Sequence, residues 1–294
     1  MTDQSAGRQA RFKSLFILPA VGLSVIILMG GLAMAFLDYR ERVAWLGAAL
    51  AALPLPLTVG RLMWLQVART SDALPILLFV SATGVMAAGW EMFIEGTAGW
   101  WPMSAALLSG AMFVLYTFWY STFGRYDSPV LSVGNRLLEF ELPDYDGKLF
   151  RSAELISNPA VVLFYRGNWC PLCMAQISEI ADRYREFADL GINVVLISPQ
   201  PEDKSRTLAE RYDVPFRFLV DSDNKLAGQL SIAQPGGVPA GIALDYPTDT
   251  VLPTLVVTGP SGTIVYSDQT DNYRVRPEPD VFLAILRRTG ALTQ

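Results

Sequence analysis

The chain has 294 residues, a net charge of −5, and 51% hydrophobic against 17% charged residues. That balance gives no electrostatic footing for nucleic-acid binding. The absence of histidine excludes His-based triads, His-ligated zinc or haem iron and an imidazole general base. With only two cysteines, the chain can build neither a disulfide framework nor both halves of a zinc knuckle.

The apolar excess is concentrated at the N-terminal end. Six of the seven tryptophans (Trp45, Trp64, Trp90, Trp100, Trp101 and Trp119) precede position 120. Leu15–Leu37 is a run of 23 residues without a charge, Val43–Gly60 and Ala73–Trp90 have 18 each, and Gly96–Gly124 is uncharged with its core at Trp100–Tyr120. One 18-residue apolar run can be a buried helix of a soluble protein; four in succession, joined by short loops, predict four spans of a bilayer at about 15–37, 43–60, 73–90 and 100–120. Aromatic rings at both ends of the last run suit the membrane interface. The first run is too long for a cleavable signal peptide. Basic residues set the orientation: Arg8, Arg11, Lys13, Arg61, Arg69 and Arg125 flank one side, and only Arg40 and Arg42 the other. This bias predicts an integral protein of a bacterial-type inner membrane, with its N-terminus and the region beyond the fourth span facing the cytoplasm. The spans contain no Asp, Glu, Lys or Cys to mark a proton path or transmembrane dithiol relay, so they read as an anchor or partner-docking bundle. Pro54 and Pro56 are placed to kink the second span.

From about residue 126 the composition becomes that of an ordinary globular domain, giving a division into a membrane domain (1–125) and a second domain (126–294). "LEFELPDYDGKLF" (138–150) predicts a hairpin turning at Asp146-Gly147. "AVVLFY" (160–165) and "INVVLIS" (192–198) are β-branched runs expected of strands covered on both faces. Between them a helical spacing runs from Ile177 to Ala188 and stops at Gly191. A polar helix is expected around Glu202–Tyr212, a strand at Phe216–Val220 and a short helix near Asn224–Leu230. Two strands follow around the turn in "PTLVVTGPSGTIVYSD" (253–268), and Asp280–Thr289 forms a closing amphipathic helix capped by Gly290. This alternation predicts an α/β domain with a largely parallel sheet.

Both cysteines lie in "FYRGNWCPLC" (164–173), which places Cys170 where a strand has ended and a helix begins. Unpaired amide N–H groups and the positive end of the helix dipole stabilise a thiolate there, and Arg166 adds to this. Cys173, one turn on, can attack a disulfide formed at Cys170, and Pro171 fixes the first turn without wasting an N–H. Spacing of this kind at a βα junction reads as a redox motif.

"NWCPLC" resembles the Trp-Cys-x-x-Cys motif of the thioredoxin superfamily. "VLPTLVV" (251–257) is similar to its cis-proline segment. "VLISPQPED", "FLVDSDNKLAGQLSI" and "YRVRPEPD" resemble the peroxiredoxin-like branch, the alkyl hydroperoxide reductase/thiol-specific antioxidant family. The resemblance runs from about Val130 onward and implies a thioredoxin-like α/β fold. It makes Cys170 and Cys173 the catalytic pair, with Trp169 shielding them, Pro253 and Thr254 beside them, and Pro171 and Arg166 in support. It implies no metal or other cofactor, and a thioredoxin- or glutathione-type reductant.

The family's Pro-x-x-x-Thr/Ser-x-x-Cys pattern is not reproduced. Aligned on "FY", Cys173 takes the peroxidatic position, Cys170 the hydroxyl position and Arg166 the proline; Gly167 takes the hydroxyl position if Cys170 is the attacker. Arg274 and Arg276 are the two choices for the family's distant arginine. The departure directs the main expectation to a membrane-anchored thiol–disulfide oxidoreductase in which Cys170 attacks and Cys173 resolves. A hydroperoxide reductase using the same cysteines is the alternative, and a non-catalytic redox sensor or membrane assembly factor a second. The expected partners are a disulfide or hydroperoxide substrate and the lipid bilayer.

Overall fold

A computed structural model describes residues 3–65, 67–241 and 244–292. The chain divides into two compact units, Leu15–Thr122 and a second made of Met1–Ser14 with Phe123–Gln294.

The first unit is helical. Its elements are α1 (Asp3–Leu37, whose first residues belong to the second unit), α2 (Arg42–Ala52), α3 (Pro54–Trp64), α4 (Pro75–Trp90) and α5 (Trp100–Leu115). Four stretches, Arg8–Leu37, Arg42–Trp64, Pro75–Glu95 and Trp100–Tyr120, are long and apolar enough to cross a membrane by length and composition. The second is divided at Leu53, as expected where Pro54 and Pro56 each remove a backbone donor. Where two helices press close, the residues are small. A Cβ on Gly84 of α4 would stand 2.4 Å from the Ala51 nitrogen and 2.5 Å from the Gly47 oxygen of α2. Ala44, Ala48, Ala51, Ala88 and Ala106 cluster around that approach, and side chains such as Ile76, Phe79 and Phe93 remain exposed. Tight backbone contact through glycine and alanine, with the large apolar groups outside, is the packing that suits helices in a nonaqueous solvent.

The second unit is built on a five-stranded sheet. Its strands are β3 (Ala160–Phe164), β4 (Asn193–Ser198), β5 (Arg217–Val220), β8 (Thr254–Thr258) and β9 (Ile264–Asp268), in the order β5-β4-β3-β8-β9. Two outlying pairs accompany it: β1 (Glu141–Pro143) with β2 (Leu149–Arg151), and β6 (Ala233–Gln234) with β7 (Thr250–Val251). The helices are α6 (Pro171–Asp182), α7 (Tyr184–Asp189), α8 (Glu202–Tyr212), α9 (Lys225–Gln229) and α10 (Pro279–Arg288). All five residues of β3 and of β8 are buried, as continuous apolar strands in mid-sheet require.

The sheet is mixed, which corrects the expectation of a largely parallel one. β3 pairs in parallel with β4, and β4 with β5, but β3–β8 and β8–β9 are antiparallel. The parallel pairs come from helical crossovers. β8 and β9 are joined by a tight turn at Gly259–Gly262, which permits only an antiparallel pair. This strand–helix–strand core ending in an antiparallel hairpin is thioredoxin-like. The hairpin expected at Asp146-Gly147 is present, with Gly147 at φ +79°. The single helix expected up to Gly191 is instead interrupted at Arg183, whose backbone leaves the helical region. The break lets Phe187 stack on Phe282 of α10, with ring centroids 6.0 Å apart.

The close approach at Gly84 generates a stability prediction. Gly84→Leu should destabilise the helical unit by about 2 kcal/mol or more, because the side chain meets backbone rather than a movable neighbour. Gly22, where an added Cβ would meet nothing within 4 Å, is the control. Thermal unfolding of the purified chain in detergent should drop for Gly84→Leu and stay unchanged for Gly22→Leu; equal melting of both would contradict this packing.

Candidate functional site

β3 delivers the chain to the cysteines. Phe164 lies opposite Ile197 of β4 on one side and Thr254 of β8 on the other, and the Tyr165 N–H still donates to the Ile197 carbonyl at 2.9 Å. There the chain leaves the sheet. Gly167 takes φ +141°, and a Cβ on it would sit 2.8 Å from the Trp169 Nε1. No other residue type fits that turn. The Cys170 N–H donates to the Gly167 carbonyl at 3.1 Å, and Cys170 becomes the N-cap of α6 with Pro171 at its first position. Cys173 falls in the first helical turn.

Neighbouring elements hold this loop. The Gln200 side chain, after β4, accepts from the Asn168 N–H at 2.9 Å and donates to the Tyr165 hydroxyl at 2.9 Å and Ser205 at 3.1 Å. The Asn168 amide donates to the Lys204 carbonyl at 2.8 Å. From β7, the Thr250 hydroxyl donates to the Arg166 carbonyl at 3.0 Å. Arg125 bonds the Pro253 carbonyl, the Thr254 hydroxyl and Gln269. Gln200, Thr250 and Thr254 are all essentially fully buried, so each bond forms where water cannot compete.

Both cysteines are reduced and buried, Cys170 at 3% exposure and Cys173 at 1%. Burial alone raises a thiol pKa, yet the two are driven apart. The Cys173 thiol donates a hydrogen bond to the Cys170 sulfur, and this is the largest influence bringing Cys170 down to about 6, against the cost of desolvation. Arg166 and Arg276 add their positive charges, and the Cys173 backbone N–H adds another donor. Cys173 is pushed well above the ordinary thiol range, first by burial and then by the proton it shares with Cys170. At neutral pH the pair therefore holds one proton and one negative charge, with the charge at Cys170, the helix start.

Arg166 is half-buried, its guanidinium 4.6 Å from the Trp169 ring centroid and 5.7 Å from that of Phe123. Pro171 is at the helix start and Trp169 flanks the loop. Pro253 and Thr254 are buried on the strand edge facing the loop's origin. The peptide before Pro253 is trans, as are all described peptide bonds, so the likeness to a cis-proline segment is one of sequence and not of isomer. The Leu252 N–H is tied to the Ile232 carbonyl at 2.7 Å and its carbonyl to the Thr254 hydroxyl at 2.9 Å, which fixes an extended course there. Of the two arginines in "YRVRPEPD", both are buried, and Arg276 is the one whose charge bears on both sulfurs. Among the described residues no cluster of three or more His, Cys, Asp or Glu side chains could hold a metal.

A family model described as the AhpC/TSA family matches residues 133–267. The chloroplastic peroxiredoxin Q of Populus jackii is 34% identical over 103 residues, which are 35% of this chain and 46% of that protein. Peroxiredoxin Bcp of Bacillus subtilis (strain 168) is 26% identical over 97 residues, covering 33% of this chain and 62% of its own length. Among solved structures, peroxidoxin BcpB from Mycobacterium tuberculosis aligns with a TM-score of 0.45 at 25% identity, over 54% of this chain and 97% of that one. The chain spans about half the length of the curated peroxiredoxin Q relatives it matches.

Proposed function

We propose that residues 133–267, which match the AhpC/TSA family model and resemble peroxiredoxins, form a peroxiredoxin-like domain that works as a thiol-dependent hydroperoxide reductase. The observation that carries this reading is a thiolate favoured at Cys170 and only 3% exposed, within a domain whose relatives are named peroxiredoxins. Protein-disulfide exchange, the reading favoured by the sequence pattern, needs a sulfur that a bulky partner can reach. A hydroperoxide is small enough to enter.

The chemistry balances on the two thiols. The Cys170 thiolate attacks the terminal peroxide oxygen; the O–O bond breaks, Cys170 becomes a sulfenic acid and the alkoxide leaves to take a proton as the alcohol. Cys173 then attacks the Cys170 sulfur and expels water, forming the disulfide. Arg276, acting on both sulfurs, favours the negative charge as it passes from sulfur to leaving oxygen. One thioredoxin-type dithiol, or two glutathione-type monothiols acting through a mixed disulfide, returns the pair to its reduced form. Oxidation replaces the thiol-to-thiolate hydrogen bond with an S–S bond, so the loop that meets the donor is not the reduced loop that meets the peroxide.

Cys173→Ser should react with one equivalent of hydrogen peroxide and stop at a sulfenic acid on Cys170, trapped by dimedone and located by mass spectrometry. Cys170→Ser should not react at a comparable rate. Rapid sulfenylation of Cys173 in Cys170→Ser would reverse the roles of the two thiols, in line with the alignment that puts Cys173 at the peroxidatic position.

The four apolar helical stretches support membrane insertion, with the redox domain on the side that carries Arg8, Arg11 and Lys13. A fluorescent reporter fused to the C-terminal end should be active in the cytoplasm, and an alkaline phosphatase fused there should be inactive; the opposite pattern would put the domain in an oxidising compartment.

A further inference from the structure

The cysteine loop carries two donors that nothing among the described residues satisfies. Arg166 Nε and Trp169 Nε1 are both buried and have no hydrogen-bond partner among the described residues. They lie side by side, since the Arg166 guanidinium stacks on the Trp169 ring at 4.6 Å. Arg166 spends one amino group on the Gly237 carbonyl. No carboxylate pairs with it among the described residues, whereas Arg151, Arg183, Arg206 and Arg287 all have one. Burying such donors without acceptors costs about 1–3 kcal/mol each, a cost recovered when an acceptor arrives. The charge balance at the thiols points the same way: the charged side chains bearing on Cys170 are Arg166 and Arg276, both positive.

We propose that Arg166 and the Trp169 indole form a docking point for a carboxylate on the oxidant, so that the site prefers hydroperoxides carrying an acid group to neutral ones. The chemistry of the donors supports a carboxylate: a planar guanidinium presents paired N–H groups to two oxygens, and the indole N–H supplies a third donor. Arg166 and Trp169 are each only partly buried, so the acid group has a surface from which to approach. The dock adds selection to the hydroperoxide reading on which it rests, because the same charge that favours the thiolate also orients its oxidant.

Two reagents of nearly equal size separate docking from thiolate chemistry. Iodoacetate and iodoacetamide both need the Cys170 thiolate, so their rate ratio cancels any change in its ionisation. In the full chain carrying Cys173→Ser, the ratio of iodoacetate to iodoacetamide rates should exceed that of a free thiol. Arg166→Lys should retain most of the preference, and Arg166→Met should lower the ratio by about fivefold or more, the scale of one partly screened charge pair. A ratio equal to that of a free thiol, or one unmoved in Arg166→Met, overturns the dock. Thermal melting of each variant shows whether it is folded, and the lysine variant keeps the test open if the methionine variant is not. With both cysteines present, a short-chain hydroperoxide whose carboxylate lies two or three carbons from the peroxide should be consumed faster than its methyl ester, and Arg166→Met should erase the difference. Consumption of both at equal rates overturns the substrate preference. Consumption of neither overturns the hydroperoxide reading itself, while the alkylation ratio still decides whether Arg166 docks an anion.

Discussion

A single proton shared between two buried sulfurs organises this site. Neither cysteine is solvated enough to ionise cheaply, so one charge can exist only if the other thiol stays protonated and donates to it. Which sulfur takes the charge follows from position. Cys170 is the N-cap of α6 and faces the unpaired amides of the first turn, whereas Cys173 is already inside the helix. Arg166 and Arg276 reinforce the same polarity. In the proposed cycle this asymmetry makes one sulfur the attacker and leaves the other as the proton-bearing thiol that resolves it.

The rest of the domain serves to hold that asymmetry in place. Gly167 makes the turn that delivers Cys170 to the helix start, and Gln200 holds the loop through both a backbone N–H and a buried phenol. Thr250 reaches it from β7. The antiparallel arrival of β8, against the parallel run of β4 and β5, sets Pro253 and Thr254 next to the end of β3 rather than at the far edge of the sheet. A sheet with all strands parallel would have carried that segment to the opposite end.

Much of this architecture is written in local sequence. The apolar runs mark the helical unit, the β-branched run before the cysteines marks β3, and the spacing from Cys170 to Cys173 marks the candidate redox pair, because each depends on residues close in the chain. The hairpin at Asp146-Gly147 is equally local. The part that is not legible is tertiary. Gln200 meets Asn168 across 32 positions and Thr250 meets Arg166 across 84, and no periodicity carries such pairings. Arg274 and Arg276 look alike in sequence. The Arg274 and Val275 N–H groups both bond to Asn272 in a turn that precedes Arg276, whose charge bears on the sulfurs, and no local pattern announces that difference. The interruption at Arg183 is hidden because apolar residues on either side keep a helical spacing, and the packing of Phe187 against Phe282 overrides it.

That one thiol ionises far more easily than its neighbour is read most directly by titrating the reduced protein through its thiolate absorbance in the ultraviolet. One thiolate should appear with a midpoint near 6, and mapping of alkylated peptides at neutral pH should place it on Cys170. The second should form only under strongly alkaline conditions. Two thiolates rising together near the ordinary value of about 8.5 would contradict the shared proton and the division of roles built on it.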